Sequence, residues 1–312
     1  MLRRFFHRWE RSIFDDHADD RRSQEFGLGV DHLAGLVDPQ RVSDGSELAD
    51  MAAEMRRAST DFYRIGAMSG AVFDGHRLTF DSPLPSEDPE VRRASARMFE
   101  AADADGRAIV VIPQWNADED SMVGACRILS RFGFDALRMT LPYHEDRRPP
   151  RMVRADAMVS PVLGLTLQEV RRAVVEVRLA VAWLRAQGYR RIGLMGTSLG
   201  SCVGFLALTH EEGIDAAAFN HVAGYFADVV WEGLATRHVR ESFDGHIDLE
   251  TLRRCWAPIS PAHFTDRLYD RQPALLLVSG AYDPIFLPQH AQALADSLRD
   301  AEPCIERHAD LP

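Results

Sequence analysis

From residue 107 onward the chain alternates between two hydrophobic rhythms, and this alternation restricts its fold more than any other feature. "AIVVIP" is a continuous apolar run, the pattern of a strand buried on both faces. "DSMVGACRILSRFG" follows with helical spacing, and "FDALRMTLP" is a second buried strand. "TLQEVRRAVVEVRLAVAWLRAQG" reads as a long helix with an apolar face through Val170, Val174, Val177, Val181 and Leu184. Thr166 and Glu169 read as a capping box at its start, and Gly188 as its stop. Strand "RIGLMG", helix "LGSCVGFLALTH", strand "DAAAFNHV", strand "PALLLVSG", helix "PQHAQALADSLRD" and a last strand in "PCIERHA" complete the series. Such an order predicts an α/β domain, a mainly parallel sheet with helices on both faces.

One interval interrupts the rhythm. Residues 223–268 are too long for a simple connection and carry helical periodicity of their own. They are expected to form a helical lid, inserted after the sixth strand, over the carboxyl edge of the sheet. Upstream, Leu48, Met51, Met55, Phe62 and Ile65 recur at helical spacing. Residues 1–69 therefore read as an N-terminal helical extension, and 70–312 as the α/β domain. That domain opens with a hairpin turning at Asp74-Gly75.

Charge and composition narrow the function. A net charge of −11 argues against a nucleic-acid surface. All 36 basic residues are arginine, so lysine Schiff bases, lysine general bases and a lysine-dependent phosphate loop are excluded. The four cysteines, Cys126, Cys202, Cys255 and Cys304, have no metal or redox spacing and read as reduced thiols, which favours the cytoplasm. "MLRRFFHRWERSIF" lacks the apolar core of a signal peptide, and no run is long enough for a transmembrane helix. Its Phe5, Phe6, Trp9 and Ile13 face is expected to dock on the protein, with a membrane surface or a second copy as alternatives. No metal or organic cofactor is implied.

"GTSLGS", residues 196–201, stands between an apolar strand and a helix. A G-x-S-x-G match acquires meaning in this context, because a nucleophile elbow requires a strand, a sharp turn and a helix. Small residues at 196 and 200 let strand and helix approach closely. The helix N-terminus offers free N–H groups to a developing oxyanion, Leu199 first.

With "IPQWNADED" after the first long parallel strand and "VSGAYDPIFLP" after a late strand, the chain resembles the α/β-hydrolase superfamily over about residues 70–312. The resemblance implies a Ser198, Asp283, histidine triad and a second oxyanion donor at Gln114 or Trp115. His308, 25 residues past Asp283, occupies the family's position for the base. Alternatives are a histidine beyond Pro312 or a displaced one, His221 or His144. Asn116, His144, His221, Trp231 and Arg237 are expected to line the substrate pocket. Asp146 and Arg147 read as solvated loop charges. The function implied is a carboxylesterase-like serine hydrolase acting on a small-molecule acyl substrate. Peptidase or acyltransferase chemistry on the same serine, or a non-catalytic binding protein, are its rivals, and a homo-oligomer is left open.

Overall fold

Each apolar run becomes an inner strand. In the computed structural model, which describes residues 21, 23–280, 283, 285–299 and 305–307, the strands form one sheet. They are β1 (Val72–Phe73), β2 (Arg77–Asp81), β3 (Arg93–Phe99), β4 (Arg107–Ile112), β5 (Asp135–Thr140), β6 (Arg191–Thr197), β7 (Ala216–Asn220), β8 (Ala274–Val278) and β9 (Ile305–Arg307). Their order across the sheet is β1-β2-β3-β5-β4-β6-β7-β8-β9. Strands β1, β2, β3 and β5 pair antiparallel in turn, and every pair from β5 to β9 is parallel.

The principal helices are α1 (Gly45–Arg57), α2 (Val123–Arg131), α3 (Leu163–Ala186), α4 (Leu199–His210), α5 (Phe226–Glu232), α6 (Arg237–Glu241), α7 (Leu249–Cys255) and α8 (Pro288–Arg299). Side chains alternate across a strand, so β4 serves both faces. Val110 and Ile112 join the large core that includes α3 and α4, whereas Val111 packs with Cys126 of α2 and Ala136. Burial on both sides is what made "AIVVIP" continuous rather than alternating. Among the described residues, no helix is long and apolar enough to cross a membrane.

Two expectations about elements change. The strand β3, "RASARMF", escapes the sequence reading because its inward positions include Ala94 and Ala96, which carry little apolar signal. The insertion accordingly follows the seventh strand rather than the sixth. Helix α3 begins at Leu163, three residues before the expected cap, with Val162 as its N-cap and no side-chain cap bond. Thr166 instead closes the preceding loop. Its hydroxyl donates to Ser160 O at 2.9 Å and accepts from Ser160 N at 2.8 Å. Glu169 is held by Arg172, whose Nε donates to it at 2.8 Å.

The segment before the sheet and the insertion between β7 and β8 pack together. Tyr63 Oη donates to Pro258 O at 2.8 Å in a buried bond, and Arg254 pairs with Asp50 at 2.8 Å. Leu48, Met55, Leu252, Cys255 and Trp256 share the main core with the sheet.

Candidate active site

Ser198 occupies the turn between β6 and α4 with φ 55° and ψ −122°, a conformation that L residues adopt only under constraint. The constraint is close packing. A Cβ at Gly196 would lie 2.4 Å from Gly200 O, and one at Gly200 would lie 2.2 Å from Ile112 O. Only glycine at both places lets the helix start directly against the strand ends. Ser198 N donates to Asn220 O at 2.9 Å, which ties the turn to β7. Leu199 is the first residue of α4, so its N–H has no intrahelical acceptor.

Strain gathers at this edge. Of eight described non-glycine residues with positive φ, six follow the carboxyl ends of β4 to β7: Asn116, Met122, Tyr143, Glu145, Ser198 and His221. In an open parallel sheet this is the edge where ligands bind.

The loop after β4 is tied at four points. Asn116 N donates to His144 Nε2 at 2.8 Å, and His144 Nδ1 bonds Pro142 O at 2.8 Å. Ala155 N donates to Asn116 Oδ1 at 2.8 Å, and Trp115 Nε1 donates to Ala155 O at 2.9 Å. Gln114 Nε2 reaches Ser121 Oγ at 3.2 Å. Burial lowers His144 to about 4, aided by Arg147, Arg148 and Arg138 and opposed by the Pro142 carbonyl, so the imidazole is neutral.

His221 follows β7 directly. Thr197 and Asn220 are partners in the parallel register, which sets His221 beside Ser198 at the strand ends. His221, expected to line the pocket and an alternative for a displaced base, has its Nδ1 hydrogen-bonded to Asp283 Oδ2. Asp283 Oδ1 accepts from Ile285 N at 2.8 Å and from Phe286 N at 2.9 Å. Burial pushes the Asp283 carboxyl up, but the His221 bond and the two backbone N–H groups outweigh it and hold it below its ordinary value. Asp283 thus carries a charge in the loop after β8. His308 lies outside the described residues. Ser198 Oγ makes no hydrogen bond among the described residues.

The remaining expected residues divide. Trp231 stacks on Phe243 at 6.0 Å and carries the Arg240 guanidinium 3.7 Å over its ring. Arg237 is three-quarters exposed and pairs with Glu241 on its own helix at 3.1 Å, so its charge is already met there. Its neighbour His238, which the sequence reading passed over, is buried and stacked 6.1 Å from Trp115. Neither His238 ring nitrogen has a partner among the described residues. The helical rotation of 100° per residue was the available signal: it turns position 238 away from the solvent face that Arg237 occupies. Arg147, expected to be solvated, is buried and bidentate to Glu176 at 2.8 and 2.7 Å. No group of residues that could hold a metal occurs among the described residues.

No family model matches the sequence, and no curated protein matches it. Solved structures do. Acetyl xylan esterase 1 from Thermoanaerobacterium is similar with a TM-score of 0.57 and 11% identity, over 91% of each chain. A Mycobacterium tuberculosis puromycin-hydrolyzing peptidase has a TM-score of 0.55 and 16% identity, over 72% of this chain and 36% of that one. The acylaminoacyl peptidase of Pyrococcus horikoshii has a TM-score of 0.53 and 12% identity, over 79% of this chain and 37% of that one. The chain therefore spans little more than a third of the length of the two peptidases. The sheet order, the elbow at Ser198 and these likenesses agree: the chain has the α/β-hydrolase fold.

Proposed function

We propose that this protein is a serine hydrolase that cleaves an ester by acyl-enzyme chemistry, with Ser198 as nucleophile. The observation that carries the reading is the backbone of Ser198, strained to φ 55° at the start of a helix and flanked by glycines that nothing larger can replace. Asp283 is the carboxylate, and His221, the histidine it holds in the structure, is the base. His221 takes the Ser198 proton as Oγ attacks the carbonyl carbon. Leu199 N–H and a backbone N–H at Gln114 or Trp115 hold the oxyanion. The protonated imidazole then gives its proton to the leaving alcohol, and water, activated by the same base, releases the acid. Asp283 fixes the imidazole tautomer and stabilises its charged form. The ester preference is supported by the likeness to an acetyl xylan esterase along nearly the whole of both chains. Residues 223–268 serve as the lid, with Trp231 beside the acyl group.

Intact-mass analysis after fluorophosphonate treatment tests the assignment. The wild type should gain one adduct, and Ser198→Ala none. Labelling should be lost in His221→Ala and kept in His308→Ala; the reverse pattern transfers the base's role to His308, as the family order implies. A folded wild type that neither takes the label nor turns over p-nitrophenyl butyrate overturns the hydrolase reading.

A further inference from the structure

We propose that His144 is a positioning residue for the oxyanion amide, acting through Asn116. The inference rests on the hydrolase reading above and deepens it. Pro113 follows β4 and has no N–H, so the first backbone donors past the strand are Gln114, Trp115, Asn116 and Ala117. Asn116 N is committed to His144 Nε2, and Ala117 N donates to Gln114 O at 3.3 Å. Among the described residues, that leaves the Gln114 and Trp115 N–H groups without acceptors. They lie next to the elbow, because Ile112 O and Pro113 O abut Gly200 at the start of α4.

The direction of these donors depends on a loop that would not hold itself. Asn116 has φ 58°, a conformation that costs an L residue energy even where asparagine tolerates it. His144 fixes it from below. A carbonyl can only accept, so the bond to Pro142 O makes Nδ1 the protonated nitrogen and leaves Nε2 as an acceptor for Asn116 N–H. This bond pattern exists only for the neutral ring. The residues on either side of His144 are themselves left-handed, Tyr143 at φ 63° and Glu145 at φ 51°, which delivers the imidazole under the loop. Arg138 secures the same junction: it reaches Ser121 O and Asp118 O on one side and Glu145 on the other. A base role for His144 is excluded by this geometry, since both its nitrogens are occupied.

The test uses the full chain, p-nitrophenyl butyrate as substrate and an alkyl trifluoromethyl ketone as the oxyanion-forming inhibitor. His144→Leu removes the acceptor. It should lower kcat by about 10–100-fold with KM changed by less than about threefold, because the donor is displaced in the transition state rather than in substrate binding. Inhibitor affinity should fall by the same factor as kcat/KM. His144→Gln, whose amide oxygen can replace Nε2 as acceptor, should recover most of both losses; a merely structural role would show in melting temperature without this parallel. Should the leucine variant not fold, Asn116→Ala reads the same loop and must show the same matched losses. An active wild type whose variants keep kcat and inhibitor affinity overturns the role of His144 alone. A wild type inert to both reagents overturns the hydrolase reading and this inference with it.

Discussion

At Ser198 the backbone itself carries the functional argument. A residue other than glycine in this region stores about 1–3 kcal/mol, which the surrounding packing must sustain. Ser198→Gly releases that strain and loses about 0.5–1 kcal/mol to the freer unfolded chain. Glycine is therefore expected to raise urea-unfolding stability by about 1 kcal/mol over wild type while abolishing fluorophosphonate labelling. Ser198→Ala should abolish labelling with no such gain, so an alanine variant as stable as the glycine variant would remove the case for strain. The converse holds at Gly200, where a methyl group would meet Ile112 O at 2.2 Å. Gly200→Ala should cost about 3 kcal/mol in the same urea titration and slow labelling, because the helix must back away from β4. The turn at Ser198 was legible in the sequence because an elbow is local: strand, turn and helix lie within the twenty consecutive residues 191–210. The Asp283 bond to His221 was not, since 62 positions separate the two and only the order of β6, β7 and β8 in the sheet brings them to one edge.

The elements that leave the carboxyl edge are held in place by buried ion pairs. Arg138 with Glu145, Arg147 with Glu176 and Arg172 with Glu169 are all close to fully buried. Arg147 also donates to Thr140 O at 2.7 Å and Val91 O at 3.2 Å, joining β5, α3 and the approach to β3. Burying such a pair brings little net stability, but removing one partner strands the other charge. Arg147→Leu should thus destabilise by about 3–5 kcal/mol, and adding Glu176→Leu should recover most of that loss in calorimetry. If the double variant is no more stable than the single one, the pair is not what holds the loop. The strands and helices themselves were readable from periodicity. These pairs were not, because the charges of α3 fall on a helix whose apolar face accounts for its burial, and "YHEDRRPP" has the composition of a solvated loop. A charge has no periodic signature until its partner is known.

For the whole molecule, the buried histidines set the response to acid. Burial is the first cause in each case: it lowers His144 to about 4, His210 to about 3 and His238 to about 4. Unfolding returns each to its ordinary 6.5, so between those values the unfolded chain binds more protons than the folded one. Their contribution is complete above pH 6.5 and is lost as pH falls toward 4. For His144, the most buried of the three, the shift corresponds to about 3 kcal/mol once pH falls below its folded value. Asp283 acts in a lower window, since its folded value lies below 3.8 and its contribution fades only beneath that. Urea-unfolding free energy should therefore decline from pH 7 to pH 4.5, opposed in part by Glu169 and Asp156, whose carboxyls burial pushes up. His238 gives the sharper test. It packs against Trp115 with an interplanar angle of 1°, yet neither nitrogen is hydrogen-bonded among the described residues. Phenylalanine keeps the ring contact and removes both unsatisfied groups and the titration. His238→Phe should match or exceed wild-type stability at pH 7 and lose a part of the acid slope. An unchanged slope would mean that His238 does not take up a proton on unfolding.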